Sequence, residues 1–320
     1  MKSPIFIVGE GRSGTTFLRN VLASHSQIWP VARESYVFVD SWPQANPYFK
    51  VYKNNLEKLS LAVLTAMNLV GVKSHKAIAN EEYPEIALEQ FIEFKDSKQY
   101  QELEASKGFN HIAVFDSICQ FFVEKTSAQR FIEKTPFHLY SVEKILTTYP
   151  EAKIIALYRD PRAVVSSWLK LDPLKNILGV CWSWNNSIKE ITRLKESLKK
   201  DQFKLLRFED LIQKPKETLQ DLLLWLEEEW QEELLQDQEV NSSFTEEKNQ
   251  SGFLNSAVHR WQKDLSQDQV TLVNMLTKAH KDFYDDSELP KQNTVASFSS
   301  LFRELLHLAK AKFAKLLQRI

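Results

Sequence analysis

The feature that most constrains this chain is an apolar strand followed by a glycine-rich turn near its start. Ile5–Val8 is an apolar run of strand type, and GEGRSGTT follows it at residues 9–16. A phosphate-binding loop reads G-x-x-x-x-G-K-[ST], and both glycines and the last threonine of that pattern are present. Thr15 takes the place of the lysine, and the basic residue of the loop is Arg12. The pattern predicts an anion site between a strand and a helix.

The expected loop can bind an anion without a lysine. Its backbone N–H groups at 12–16 point inward in such a turn, and a helix from Thr15 to about Ala23 directs the positive end of its dipole at the same place. The hydroxyls of Ser13, Thr15 and Thr16 add donors. Several charge-assisted hydrogen bonds of about 1.5–3 kcal/mol each suffice for tight binding. Because the lysine that serves β- and γ-phosphates is missing, we expect an anion other than a nucleoside triphosphate, and no metal.

Composition places the anion site in an ordinary globular protein. The chain has 320 residues, 43% hydrophobic and 26% charged, with a formal net charge of −1. No global field attracts nucleic acid, so the cationic groups of the site must be locally concentrated. The only cysteines, Cys119 and Cys181, predict two buried thiols and a reducing compartment. A strand this close to Met1 and the lack of a run of about 20 apolar residues predict a cytoplasmic protein.

Strand-like runs alternate with long helical segments. Lys153–Tyr158 and Phe203–Phe208 are clear strands, and Ala128–Glu133 is a weaker one. This alternation predicts an α/β fold of the P-loop type, a three-layer sandwich with a mostly parallel sheet between helices. Because ligands bind beyond the carboxyl ends of such strands, the chemistry is expected just after Val8, Glu133 and Tyr158.

The remaining segments are predominantly helical. We expect a helical insert at about 51–125 that covers an acceptor cleft, and a long helix over Leu178–Lys199. Thr218–Leu235 is amphipathic, with the run Glu227–Glu229 as a solvated face, and Asp237–Asn255 reads as a loop.

The chain is expected to form a single domain over 1–290 and a separate basic amphipathic helix over 291–320. Apolar residues at helical spacing alternate there with lysines and an arginine. Such a helix either docks on its own domain or contacts a membrane surface or a partner. The sequence leaves both readings open.

A second anion site follows the strand Lys153–Tyr158. Arg159 comes directly after the strand, and Asp160 before Pro161 is a natural N-cap for the next helix. Ser167 lies two turns into that helix, so Arg159 and Ser167 can converge on one phosphate.

Together, PIFIVGEGRSGTT and YRDPRAVVSSW resemble the two donor-binding motifs of the sulfotransferases that use 3′-phosphoadenosine 5′-phosphosulfate (PAPS). The branch with protein-tyrosine sulfotransferases and many bacterial members is the most similar. In that family the first motif holds the 5′-phosphosulfate, and the second supplies an Arg and, eight residues on, a Ser to the 3′-phosphate. The resemblance extends from Pro4 to about Leu265 and implies a metal-independent transfer of a sulfuryl group.

Weaker matches extend the resemblance. IEKTPFHLY resembles a Lys-x-Pro segment, which places Lys134 near the transferring group, and RFED resembles a later turn. HRW resembles a segment that places Arg260 near the nucleotide. The donor-site residues that the resemblance implies are Arg12, Ser13, Gly14, Thr15, Thr16, Arg159, Ser167 and Arg260, with Arg12 and Lys134 also catalytic.

An acceptor hydroxyl needs a general base, and the sequence offers three candidates. The resemblance places a Glu soon after the first helix, and Glu34 is the nearest match. His75 and His138 are alternatives, because histidine is the commonest base. Aromatic side chains that can line an acceptor cleft for a sugar, phenol, lipid alcohol or peptide are Tyr36, Phe38, Trp42, Trp182 and Trp184.

Three functions remain open at this stage. A PAPS-dependent sulfotransferase is the leading interpretation. A P-loop kinase requires a loop lysine and a metal carboxylate, which the sequence lacks. A non-catalytic nucleotide-binding module would use the basic C-terminal helix, although Arg12, Lys134 and Arg159 are all retained.

Overall fold

The computed structural model describes residues 1–39, 52, 54–69, 72–106, 108–236 and 252–284. In this part of the chain, five strands form one parallel sheet with the order β2-β3-β1-β4-β5. The strands are β1 (Ile5–Gly9), β2 (Ile28–Pro30), β3 (Arg130–Lys134), β4 (Lys153–Tyr158) and β5 (Phe203–Arg207). The expected α/β fold with a parallel sheet is confirmed.

Helices connect the strands. Fourteen α-helices are described: α1 Thr15–Ala23, α2 Leu56–Asn68, α3 Val72–Asn80, α4 Glu85–Lys95, α5 Lys98–Ala105, α6 His111–Lys125, α7 Val142–Thr148, α8 Pro161–Leu171, α9 Ile177–Ser197, α10 Phe208–Gln213, α11 Pro215–Leu226, α12 Ser256–His259, α13 Trp261–Asp264 and α14 Gln267–Thr277. Short 3-10 helices cover Pro136–Ser141, Glu232–Leu235 and Lys278–Phe283.

The alternation of side chains along β1 produces the three layers. Ile5 and Ile7 pack into an apolar cluster with α1, α10 and α11 on one face of the sheet. Phe6 and Val8 pack into a second cluster, with α2, α6, α8 and α9, on the other face. Since successive side chains of a strand point to opposite faces, a central strand that is apolar at every position requires helices on both sides.

The parallel register brings the ends of three strands together. Ile7 of β1 lies beside Lys134 of β3, and Gly9 lies beside Leu157 of β4. The residues that follow β1, β3 and β4 therefore meet at one edge of the sheet, the carboxyl edge, as the position of the motifs predicted.

The strand β2 was missed, and two boundaries differ from those predicted. β2 is short, contains Pro30 and pairs with β3 alone, and these are properties of an edge strand with a weak sequence signal. β3 runs over Arg130–Lys134 rather than Ala128–Glu133. Phe208, predicted as the end of β5, begins α10 instead.

Helices α2 to α6 form the insert between β2 and β3. Helix α6 packs on both of these strands. The backbone N–H of Arg33 donates to the carbonyl of Met67 at the end of α2 (2.8 Å), and His111 Nε2 donates to the carbonyl of Val37 (3.0 Å). The insert thus supports the segment that carries Glu34, while its position over an acceptor cleft stays a prediction.

The acidic run after α11 is solvated only in part, because Glu227 and Glu229 are exposed as predicted and the side chain of Glu228 is not. Helix α11 ends at Leu226, and Glu227 adopts a left-handed conformation with φ of 60°. The side chain of Glu228 is 3% exposed and lies 3.2 Å from the buried guanidinium of Arg130. The chain reversal at Glu227 directs Glu228 inward, which helical periodicity could not show.

Several predictions fall on other parts of the chain. The basic segment 291–320, Trp42 and most of the predicted loop 237–255 lie outside the described residues.

The two cysteine side chains are buried and no disulfide joins them. No helix among the described residues is long and apolar enough to cross a membrane.

Candidate active site

The glycine loop after β1 is closed by a neighbouring aromatic ring. Gly14 is the N-cap of α1, with φ of +89°, and a Cβ atom there would lie 2.2 Å from Cδ2 of Phe208. Arg12 also has a positive φ, 69°. Helix α1 begins at Thr15 and ends at Ala23, as the loop pattern predicted.

A cavity of about 340 Å³ lies at the carboxyl edge of the sheet, beside this loop. Among the predicted residues, its lining includes Arg12, Gly14, Thr15, Thr16, Glu34, Arg159, Ser167 and Arg260. Ser13 is buried next to the lining, and Lys134 reaches it through Glu34. Residues from five separate segments of the chain therefore meet at one cavity.

Two of the predicted arginines are linked through the loop. Arg12 Nε donates to Ser167 Oγ (3.0 Å), and Arg159 Nη1 donates to the backbone carbonyl of Arg12 (3.1 Å). Arg159 Nη2 donates to the carbonyl of Ala257, which lies in α12, the short helix directly before Arg260. The guanidinium of Arg159 also stacks over Phe208, 4.3 Å from the ring centroid. These contacts fix the loop against the second motif.

The electrostatics of the cavity favour an anion. The pKa of Arg159 is lowered to about 10, mainly by burial and in addition by the charges of Arg260 and Arg12, while the charge of Glu209 opposes the shift. Burial is also the main cause that lowers the pKa of Arg12. Three guanidinium groups that repel one another in a desolvated cavity gain stability when a dianion enters.

Two buried polar atoms provide a test of fit for a phosphorylated ligand. Within the described part of the chain, Ser13 Oγ and Arg159 Nε have no hydrogen-bond partner. Leaving such a group unsatisfied costs about 1–3 kcal/mol, so a ligand oxygen that accepts from either one recovers this energy. Ser13 belongs to the first predicted donor-binding motif and Arg159 to the second. Each motif therefore offers a donor to a phosphate oxygen, and the residues fit a ligand with two phosphate groups.

Glu34 is held by two hydrogen-bond donors. Lys134 Nζ lies 2.6 Å from Glu34 Oε1, and the hydroxyl of Tyr36 donates to Oε2 (2.5 Å). Burial lowers the pKa of Lys134, although the charge of Glu34 opposes this effect. The pKa of Tyr36 is raised by burial and by the charge of Glu34, so its hydroxyl remains a donor. Sequence reasoning placed Glu34 and Lys134 in one site but missed Tyr36 as their partner.

His138, one of the two histidine alternatives, does not lie in the cavity lining. His138 is fully buried, with Nδ1 2.8 Å from Glu133 Oε2. Its Nε2 accepts the backbone N–H of Phe38 (3.3 Å), so the ring carries its proton on Nδ1 and donates it to Glu133. Both ring nitrogens are occupied by structural contacts. The side chain of His75 lies outside the described residues.

The second motif folds as its sequence predicted. The carboxylate of Asp160 accepts the backbone N–H of Arg162 (2.8 Å) and caps α8, with Pro161 in the first turn. Arg162 turns away from the cavity, pairs with Asp160 and stacks over Trp261 at 4.1 Å. Glu209 accepts the backbone N–H of Asp160 (3.0 Å) and thereby joins α10 to the same turn. Arg159 is left as the arginine of this motif that faces the cavity.

Sequence reasoning missed most of the apolar wall of the cavity. Phe208, Trp168 and Phe137 belong to it. The contact between Gly11 and Trp168 is so close that a Cβ at Gly11 would lie 2.8 Å from the indole ring. Among the predicted cleft aromatics, Tyr36 lines this cavity, whereas Phe38 and Trp184 are core residues. The presence of an aromatic residue in the sequence did not show whether its ring lines the cavity or packs in the hydrophobic core.

Comparison with known proteins identifies the family. A model of the sulfotransferase family matches residues 4–232, and the chain belongs to that family. No curated protein matches the chain.

Solved structures show the same fold. The sulfotransferase domain from the curacin biosynthetic pathway is 18% identical, with a TM-score of 0.52, and the match covers 87% of this chain and 98% of that domain. The sulfotransferase domain of the olefin synthase from Synechococcus PCC 7002 is 19% identical, with a TM-score of 0.53, over 89% of this chain and 97% of that domain. These matches confirm the fold that the sheet order and the layers describe.

Proposed function

We propose that this chain transfers a sulfuryl group from PAPS to a hydroxyl or amine acceptor by metal-independent in-line displacement. The observation that carries the proposal is the convergence of Arg12, Arg159 and Arg260 on one cavity that also contains Glu34. PAPS carries phosphate at both its 3′ and 5′ positions, which matches two cationic motifs at the ends of two adjacent strands.

Each motif has a separate task in this proposal. The loop at 12–16, with the N-terminus of α1, binds the 5′-phosphosulfate. Arg159, Ser167 and Arg260 bind the 3′-phosphate. PAPS supplies the sulfuryl group, and the protein supplies orientation and a desolvated set of positive charges.

Glu34 accepts the proton of the acceptor, and Lys134 stabilises the negative charge on the leaving group. The Glu34 carboxylate accepts the proton of the acceptor hydroxyl, with Tyr36 and Lys134 holding its two oxygens in position. When Glu34 becomes neutral, the positive charge of Lys134 is no longer balanced by it. Lys134 and Arg12 then stabilise the negative charge that builds on the departing phosphate.

Binding of PAP, the desulfated product, tests the donor site. Calorimetry should show PAP binding with and without Mg²⁺ and no comparable binding of ATP. Ser167→Ala removes one charge-assisted contact of about 1.5–3 kcal/mol, so we expect roughly 10- to 100-fold weaker PAP binding. Ser197→Ala, at the far end of α9, is the matched control and should leave the affinity unchanged.

Two outcomes contradict the proposal. Mg²⁺-dependent binding of ATP without binding of PAP would indicate a kinase. If Glu34→Gln binds PAP normally and releases PAP from PAPS as fast as the unaltered protein in a screen of alcohols and phenols, Glu34 is not the base.

A further inference from the structure

A second cavity, of about 480 Å³, adjoins the donor cavity. Gly11 of the glycine loop and Phe137 of the 3-10 helix after β3 line both cavities. Tyr140 of the same 3-10 helix, the start of the loop and α9 complete the lining of the second cavity. It therefore lies beside the loop to which we assign the phosphosulfate, where the acceptor must approach.

One face of α9 forms the side of this cavity. Trp182, Asn186, Lys189 and Arg193 follow one another at intervals of three or four residues and share that face. Ser183, Ser187 and Glu190 form the adjacent row. The core side of α9 carries Trp184, Ile188 and Ile191 instead. The cavity-facing rows carry hydroxyl, amide and charged groups in place of the apolar groups that pack on the sheet.

Three aromatic rings are exposed at the cavity. Trp182 is 71% exposed, Phe137 is 50% exposed and Tyr140 is 47% exposed. The rings of Phe137 and Tyr140 lie 6.1 Å apart with an interplanar angle of 51°. Large rings that stay in water forgo about 25 cal/mol for each Å² of apolar surface that remains exposed. Their grouping in a concave surface is typical of a site that stacks on a ligand.

A buried carboxylate lies at the base of the cavity. Glu10 is 8% exposed and accepts hydrogen bonds from Ser187 Oγ (2.6 Å) and Ser183 Oγ (3.1 and 3.0 Å to its two oxygens). Because the Ser187 proton is donated to Glu10, the Tyr140 hydroxyl, 3.2 Å from Ser187 Oγ, donates to that serine. The hydroxyl oxygens of Tyr140 and Ser183 are thus oriented with lone pairs that can accept from a ligand.

The charges at the rim are nearly balanced. Arg193 pairs with Glu190 (2.5 Å) and also with Glu143. Lys189 is exposed on the rim, and the carboxylate of Glu10 lies at the base. The two cations Lys189 and Arg193 and the two carboxylates Glu10 and Glu190 offset one another, so the lining has no net charge that would select an ionic ligand. A neutral ligand meets no net repulsion.

We propose that this cavity binds a sugar ring of the acceptor, an inference that rests on the proposed sulfotransferase function. The apolar face of a pyranose stacks on Trp182, Phe137 and Tyr140, and its hydroxyl groups bond to Ser183, Asn186 and the network of Glu10. A neutral polyhydroxylated ring uses both the aromatic and the polar groups of the lining. A phenol brings a single hydroxyl to these polar groups, whereas a sugar ring brings several. The acceptor class is therefore a carbohydrate or glycoside.

Saturation-transfer NMR on the full chain tests this assignment, with the methyl glycosides of glucose, galactose and N-acetylglucosamine as probes. Phenol and cyclohexylamine are the comparison ligands. We expect saturation of at least one glycoside, and at least tenfold weaker glycoside binding in Trp182→Ala and in Asn186→Ala. Leu224→Ala, which truncates a side chain that is 79% exposed on α11, is the control and should bind like the unaltered protein. Both side chains altered in the cavity are at least partly exposed, so the variants are expected to fold.

The outcomes separate this inference from the proposed function. Absence of saturation for all three glycosides overturns the sugar assignment, as does preferential saturation of phenol or cyclohexylamine that Trp182→Ala abolishes. PAP calorimetry on the same variants should be unchanged, because none of them lies in the donor motifs. If PAP does not bind the unaltered protein while glycosides do, the sulfotransferase proposal fails and a sugar site remains.

Discussion

Lys134 and Glu34 are 100 positions apart in the chain and meet at 2.6 Å in the fold. The motif resemblance placed both in one site, and their order along the chain is that of β2 and β3. Their direct contact, and the hydrogen bond from Tyr36, depend on the pairing of an edge strand that had almost no sequence signal. At this scale, the residue types were predictable and the contacts were not.

The lowered pKa of Lys134 predicts a pH dependence. A lysine is charged below its pKa, so a pKa lowered by burial means that the charge is lost at a lower pH than in an ordinary lysine. The rate at which PAP is released from PAPS in the presence of an alcohol acceptor should therefore fall as the pH rises. The decline should begin below the ordinary lysine pKa of about 10.4. Lys134→Arg should be roughly tenfold slower, since guanidinium and ammonium differ in geometry, and should lack this alkaline limb.

PAP binding, measured over the same pH range, distinguishes the titration of Lys134 from that of the arginines of the donor motifs, because we assign PAP binding to those arginines. If the decline in rate above neutral pH is identical in Lys134→Arg, then the titrating group is not Lys134.

At the scale of secondary structure, the turn into α1 was the most predictable element. Gly14 adopts the left-handed conformation that a non-glycine residue rarely does, and the ring of Phe208 fills the space beside it. The pattern of the loop predicted a glycine turn before a helix, and the structure shows its left-handed conformation. The ring comes from the start of α10, and its approach could be known only from the fold.

Replacement of Gly14 by alanine should destabilise the protein and impair the donor site. Backbone strain alone costs about 1–3 kcal/mol, and a Cβ 2.2 Å from Phe208 adds to it. Urea unfolding should show this loss, and PAP binding should weaken by at least tenfold. Gly108→Ala is the matched control: a Cβ there has no atom within 4 Å among its described surroundings, and we expect a change within about 0.5 kcal/mol. Equal stability of the two variants would contradict the role of the ring.

Two other elements show where helical periodicity succeeds and where it fails. The helix α9 was predicted as Leu178–Lys199 and runs over Ile177–Ser197, because a long amphipathic pattern is a strong signal. The acidic run after α11 was assigned to a helix face, yet the chain reverses at Glu227 and Glu228 pairs with Arg130 inside the protein. Glu227 and Glu229 stay exposed, so only Glu228 departs from the predicted solvated face.

At the scale of the whole molecule, the prediction of a single domain over 1–290 has a thermodynamic consequence. The sheet carries both donor motifs and an apolar cluster on each face. If this is one cooperative unit, PAP at 100 times its dissociation constant adds about 2.7 kcal/mol to the free energy of unfolding. The whole transition should then shift upward by about 4–5 °C.

Differential scanning calorimetry of the full chain checks this expectation. One transition that moves as a unit with PAP supports a single domain. Two transitions, of which PAP shifts only one, would show that the donor site belongs to an independent unit.

The sequence by itself determined the α/β class, the strands β1 and β4, the turns that follow them and the residue types of the proposed donor site. These features depend on local chemistry: apolar runs, glycines in a turn, a carboxylate and a proline at a helix start. The tertiary structure decided the contact of Lys134 with Glu34, the burial of His138 and Glu228, the aromatic wall and the second cavity. Each of these requires segments far apart in the chain to meet, and strand order and register, which no local pattern encodes, determine which segments do.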